Sequence, residues 1–190
     1  MKASWLTLGV LCAALAVGAC SRREPSDDCL GATRVVDPVL LAFLSKARSA
    51  HHVADQNEAA GDRAAALRAL EGLTNGPAPA GEAPEVDEVL ADTRARIADL
   101  LSQAGRFDQA AEQVSLGLER AKTSTYFRGH LFEVRGLVEE RREKALRTNG
   151  RGQEADQARE RSLDAYEEAM KIQAEVIGST TPAPSSAPKR

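Results

Sequence analysis

The chain has 190 residues, with 25 Lys and Arg against 28 Asp and Glu and a formal net charge of −3. That length suits one domain. Mild acidity, 4% aromatic residues and the lack of a basic stripe with interleaved aromatics argue against nucleic acid as a partner. No HExxH, CxxC or Gly-x-Ser-x-Gly motif occurs, and no glycine-rich phosphate loop follows a strand. The chain is therefore expected to be non-catalytic, with no cofactor and no metal.

Residues 1–19 start with Met1-Lys2 and are then almost wholly apolar or small; no acid precedes Glu24. A positive start, an apolar run and small residues before a cut site make an export signal. On residues alone, a cleaved secretion signal and a retained anchor both stay open, since the run is near the lower length for crossing a bilayer. Val17-Gly18-Ala19-Cys20 closes the segment and resembles the lipobox of bacterial lipoprotein precursors. That resemblance implies cleavage before Cys20, a diacylglyceryl group on its thiol and usually an acylated amine. Two or more acyl chains hold a protein firmly to a membrane, where one does so marginally. Ser21 in place of Asp, by the same resemblance, favours the outer membrane on its periplasmic side. Removing residues 1–19 leaves 171 residues with 24 Lys and Arg against 28 Asp and Glu.

Residues 20–36 are polar, contain Pro25 and Gly31, and read as a flexible tether. Cys29 lies in it, either an incidental linker cysteine or a point of disulfide-linked dimerisation. The fold class expected beyond it is all-α: three antiparallel helical hairpins over residues 37–177, as a short solenoid or an irregular bundle.

Asp37-Pro38 signals the first helix, an N-cap acceptor followed by proline in the first turn. Leu40, Phe43, Leu44, Ala47, Ala50 and Ala54 follow at helical spacing. The second helix carries Ala66, Leu67, Leu70 and Leu73. Residues 74–85, with three prolines and two glycines, form a loop that no helix crosses. The third helix shows Val86, Val89, Leu90, Ile97, Leu100 and Leu101, and the fourth Phe107, Ala110, Val114 and Leu118. Ser124 is placed to cap the fifth, with Phe127, Leu131, Val134 and Val138 inward, and Asn149-Gly150 to stop it. The sixth runs through Ala158, Ala165, Tyr166, Ala169 and Ile172 to Gly178. Residues 178–190 read as a disordered tail.

Residues 54–66 and 98–110 resemble each other at an offset of 44, each with a small residue, a turn glycine (Gly61, Gly105) and a second small residue. Gly105-Arg106-Phe107-Asp108-Gln109-Ala110, with Ala98 before it and Gly117 after, resembles the turn and second helix of a tetratricopeptide repeat. Residues 162–172 resemble that second helix again, with Tyr166 at its aromatic and Ala169 at its small position. The regular period of about 34 residues is broken by the loop at 74–85, and the third hairpin is overlong. The resemblance implies a groove lined by the first helix of each hairpin that binds a protein partner. Asn57, Arg94, Leu101, Arg128 and Arg135 are its expected partner-binding residues.

His51-His52 invites a metal reading, but successive helical residues point about 100° apart. A metal carrier would need His51 or His52 to meet His130 and a carboxylate; surface or groove-lining histidines are the expectation. The run Glu139-Glu140-Arg141-Arg142-Glu143-Lys144 reads as a solvated face with i, i+4 pairing, and Arg159, Glu160 and Arg161 as solvent-facing. The leading function is an envelope adaptor or assembly factor. A structural outer-membrane lipoprotein without a specific ligand is the alternative.

Overall fold

Asp37 receives the backbone N–H of Val39 at 2.8 Å and Pro38 occupies the first turn. This is the helix start that the dipeptide predicts. The structure is a computed structural model that describes residues 37–81 and 83–180. The export signal, Cys20, the tether with Cys29, and residues 181–190 lie outside the described residues.

Six helices follow: α1 Pro38–Ala59, α2 Arg63–Thr74, α3 Pro84–Gln103, α4 Phe107–Arg120, α5 Tyr126–Thr148 and α6 Gly152–Thr180. The described residues are all-α. None of these helices is long and apolar enough to cross a membrane. α1 pairs with α2, α3 with α4 and α5 with α6 as antiparallel hairpins. The hairpins stack in chain order: α3 lies against α1 and α2, and α5 lies against α3 and α4.

Each hairpin reverses at a glycine with positive φ: Gly61 at 79°, Gly105 at 74° and Gly150 at 72°. That backbone conformation is open to glycine and strained for other residues. The same pair of bonds closes all three turns. The residue after the glycine donates back to Asn57, Leu101 or Leu146 at 2.8–2.9 Å, satisfying a carbonyl that the helix end leaves orphaned. The turns recur 44 and 45 residues apart. Packing recurs with them. Ala66, Ala110 and Ala155 are each fully buried one turn into the second helix, and Ala47, Ala91 and Gly136 are buried on the first. The internal repeat thus has three copies, where the sequence displays two.

Two sequence-based boundaries are corrected. Thr125, not Ser124, caps α5, accepting the Arg128 N–H at 3.3 Å. Its backbone is the extended residue directly before the first turn; the Ser124 hydroxyl instead donates to Glu175 of α6 at 2.8 Å. Gly178 does not end α6, which continues to Thr180. Gly178 takes no positive φ, so it supplies no left-handed cap.

The core lies between hairpins. Phe43, Ala47, Leu73, Val86 and Leu90 form one cluster. A larger one runs from Ala54 and Leu70 through Ile97, Leu100 and Val114 to Leu131, Val134 and Val138. The α5–α6 seam is built from small residues: Ala155, Ala158, Ala165 and Ala169 are buried. At Gly136 a Cβ would come within 2.8 Å of the Tyr166 ring, and at Gly117 within 2.6 Å of Leu131. Neither site has room for a side chain.

The expected solvated face at 139–144 is also corrected. Glu139 is 6% exposed, and Arg141 donates across to Asp99 and Ser102 of α3, both at 2.6 Å. Six consecutive residues span more than a full helical turn, so they cannot all face water on a helix packed on two sides.

Candidate functional site

On α5, Arg128, Phe132 and Arg135 stand at i, i+4 and i+7, which puts them on one flank. That flank is distinct from the Phe127, Leu131, Val134 and Val138 stripe buried against the preceding hairpin. Opposite it on α6 stand Arg161, Asp164 and Ala165. Phe132, Arg135, Arg161, Asp164 and Ala165 line a shallow cleft of about 240 Å³ between the two helices. The cleft exists because α6 presents a small residue, Ala165, beside the Phe132 ring. The bulky Tyr166 lies instead over Gly136.

Each charged group of the cleft has a traceable position. Arg128 donates one N–H to the Ala121 carbonyl at 2.7 Å, and its guanidinium carbon lies 5.3 Å from the Phe132 ring centroid. That cation–π contact holds the side chain along the ring face. Arg161 grips one oxygen of Glu139 through Nε at 2.9 Å and Nη2 at 2.8 Å. Arg142 approaches the other oxygen at 3.6 Å, so this buried carboxylate is neutralised from both sides, as burial demands. Arg135 is exposed and has no ion-pair or hydrogen-bond partner among the described residues. Asp164, on the opposite lip, has none there either.

The other expected partner-binding residues do not join this site. Leu101 is 3% exposed and belongs to the large core cluster, so its assignment to a groove is corrected. Arg94 turns onto its own hairpin and donates to Gln113 of α4 at 2.8 Å; its Nε is buried without a hydrogen-bond partner among the described residues. Burial is the main cause holding its pKa below the usual arginine value. Asn57 is half-buried and donates to the Val53 carbonyl one turn back in its own helix at 2.8 Å. Of the residues expected from sequence, Arg135 lines this cleft and Arg128 stands on the same flank; Phe132, Arg161, Asp164 and Ala165 were not among them. One signal was available: Phe132 is an aromatic residue that falls outside the buried stripe of its helix.

A second cluster joins the first two hairpins. His51 of α1 lies 2.9 Å from the hydroxyl of Thr93, a fully buried residue of α3. That hydroxyl already donates to the Val89 carbonyl at 2.7 Å, so the hydrogen-bond pattern assigns the His51 proton to Nε2. Nδ1 is left as an acceptor, 3.4 Å from Arg96 Nη1. Arg96 also donates to Asp55 at 2.6 Å and to Glu58. Burial is the main influence on the His51 pKa, which is lowered; Asp92 and Asp55 oppose the shift and Arg96 adds to it. His52 bonds to Gln56 on its own helix. His130, on α5, stacks on Tyr126 and stands 3.4 Å from Glu133. The three histidines have different partners, and among the described residues no group of three or more His, Cys, Asp or Glu could hold a metal ion.

No family model, curated protein or solved structure matches the chain. What it does must be read from these residues. The cleft between α5 and α6 offers cations beside an aromatic floor, with no nucleophile and base in hydrogen-bond reach of each other. Such an arrangement can recognise an anionic or apolar group of a partner.

Proposed function

We propose that this chain is a lipid-anchored helical-repeat protein of the bacterial cell envelope. Acyl chains on Cys20 hold it to the outer membrane facing the periplasm, and its hairpins act as a non-catalytic protein-interaction adaptor or assembly factor. Residues Val17-Gly18-Ala19-Cys20 support the anchor, and the tetratricopeptide resemblance supports the adaptor role, although hairpins spaced 44 and 45 residues apart exceed that family's period of about 34. The single observation that carries the adaptor reading is Arg135, an arginine without a partner among the described residues, on a rigid helix at the lip of the Phe132 cleft. Arg and aromatic side chains on fixed elements are the groups that most often anchor an interface.

Two measurements test it. Mass analysis of the N-terminal peptide from membrane-extracted protein is expected to find Cys20 as the first residue carrying two or three acyl chains. A chain beginning at Met1, or a free Cys20 thiol in exported protein, overturns the anchor. Affinity capture from crosslinked envelopes is expected to recover a defined protein. Repeated capture of none favours the structural lipoprotein instead.

A further inference from the structure

Several arginines elsewhere in the fold are tied to acids on other helices. Arg96 reaches Asp55 and Glu58, Arg120 reaches Asp87, Arg141 reaches Asp99 and Arg142 reaches Asp108. Arg135, like the exposed Arg48, Arg68 and Arg159, has no such tie among the described residues, and of these four it is the one that lines the cleft. Arg128, on the same flank, engages one of its five N–H groups with Ala121. Arg161 and Arg135 line the cleft with Phe132, and Arg128 lies over that ring. Against them stand Glu139, which takes up the charge of Arg161, and Asp164, so three arginines face two carboxylates. The balance in the cleft is cationic, although the chain as a whole is acidic.

Size narrows the occupant. A volume of about 240 Å³ is below the roughly 300–1,000 Å³ usual for cofactor and small-molecule sites. It suits one or two side chains of a peptide laid across the helices. Phe132 and Ala165 offer an apolar floor, and Arg135 a planar fork that matches a carboxylate in two parallel hydrogen bonds.

Resting on the adaptor reading, we propose that the α5–α6 cleft binds an acidic peptide segment of the partner, one Asp or Glu carboxylate seated on Arg135 and a neighbouring apolar side chain seated on Phe132 and Ala165. The Arg128 guanidinium, lying along the ring, adds positive field at the same place. Asp164 on the far lip disfavours a second carboxylate there and so sets the direction of the peptide.

The test uses the full chain in detergent and a fluorescein-labelled peptide, Ser-Glu-Glu-Leu-Phe-Glu-Ser-Gly, read by fluorescence anisotropy. A second peptide has Gln in place of every Glu. The acidic peptide is expected to bind, with at least about tenfold loss for Arg135→Glu, a difference of about 1.4 kcal/mol. Arg159→Glu makes the same change of net charge elsewhere on α6 and should leave binding within twofold. Raised salt should weaken binding, as for exposed charge pairs. Phe132→Leu keeps an apolar floor but removes the ring, and should weaken binding less than Arg135→Glu does. Equal binding of the Gln peptide, or wild-type binding by Arg135→Glu with an unchanged circular dichroism spectrum, overturns the proposal. An envelope partner captured equally by wild type and Arg135→Glu overturns the cleft and spares the adaptor reading. Peptide binding with no envelope partner captured does the reverse.

Discussion

Leu101 shows how one residue can carry the wrong role in a sequence reading. It is buried in the cluster that joins all three hairpins, so Leu101→Ala leaves a cavity there. We expect a loss of about 2–5 kcal/mol, read as a lower urea midpoint with an unchanged slope. Residual peptide binding by the folded fraction should be unaffected. The error has a physical source. α3 touches α1, α2, α4 and α5, and its buried residues, from Val86 through Ala91 and Ala95 to Leu101 and Ser102, cover most of its circumference. A helix enclosed on so many sides is apolar nearly all round, and no apolar periodicity then says which residue faces a neighbour and which faces a groove. The legible signal on such a helix is its polar stripe. Glu88, Asp92 and Asp99 recur at helical spacing, and each keeps part of its surface in water. α5, by contrast, is packed against the preceding hairpin on one side and α6 on the other, and Arg128 and Arg135 stand on the flank between them.

At the scale of elements, the joint between α1 and α3 depends on a neutral imidazole. His51 meets Thr93 and Arg96 from α3, with Asp92 of that helix nearby; from α1, Asp55 and Glu58 share the Arg96 guanidinium. A proton on Nδ1 would set an N–H donor against the Arg96 N–H groups. Because the folded ring resists protonation, the unfolded chain takes up the proton first as pH falls. Stability from this joint is therefore fully present above the unfolded value of about 6.5. It declines as pH drops below that value and levels off once the folded ring also titrates. Urea titrations at pH 7.5 and 5.0 should show this loss in wild type and a smaller one in His51→Gln. An identical loss in both would mean that other groups carry it. Element boundaries were mostly readable, since Asp37-Pro38, Gly61, Gly105 and Asn149-Gly150 each carry a conformational instruction in their covalent structure. Ser124 and Gly178 misled for different reasons: Thr125 sits one residue nearer the helix, and Gly178 keeps a negative φ and so supplies no left-handed cap.

For the whole molecule, stacked hairpins make stability close to a sum of each unit and its contacts with the next. The middle hairpin is gripped from both sides; among the described residues α1 packs on α2 and α3, and α6 on α5. Hydrogen exchange followed by mass spectrometry should therefore find α3 amides the most protected, with α1 and the last turns of α6 opening at lower free energy. Uniform protection across all six helices would mean a single cooperative unit instead. The third copy of the repeat escaped the sequence reading for two reasons. Its turn lies 45 residues on, not 44, and Glu143 stands where Ala54 and Ala98 made the match visible. Packing at Gly136 and Ala155, the positive φ of Gly150 and the bond from Arg151 to Leu146 show the correspondence. Three such reversals also settle the direction of travel. After three up-and-down passes, Thr180 comes back to the end of the stack from which Asp37 sets out, and the bends at Gly61, Gly105 and Gly150 project from the other. Those exposed bends are natural places to splice in an epitope or a fluorophore tag, because an insert there leaves both chain ends, and whatever they are joined to, untouched.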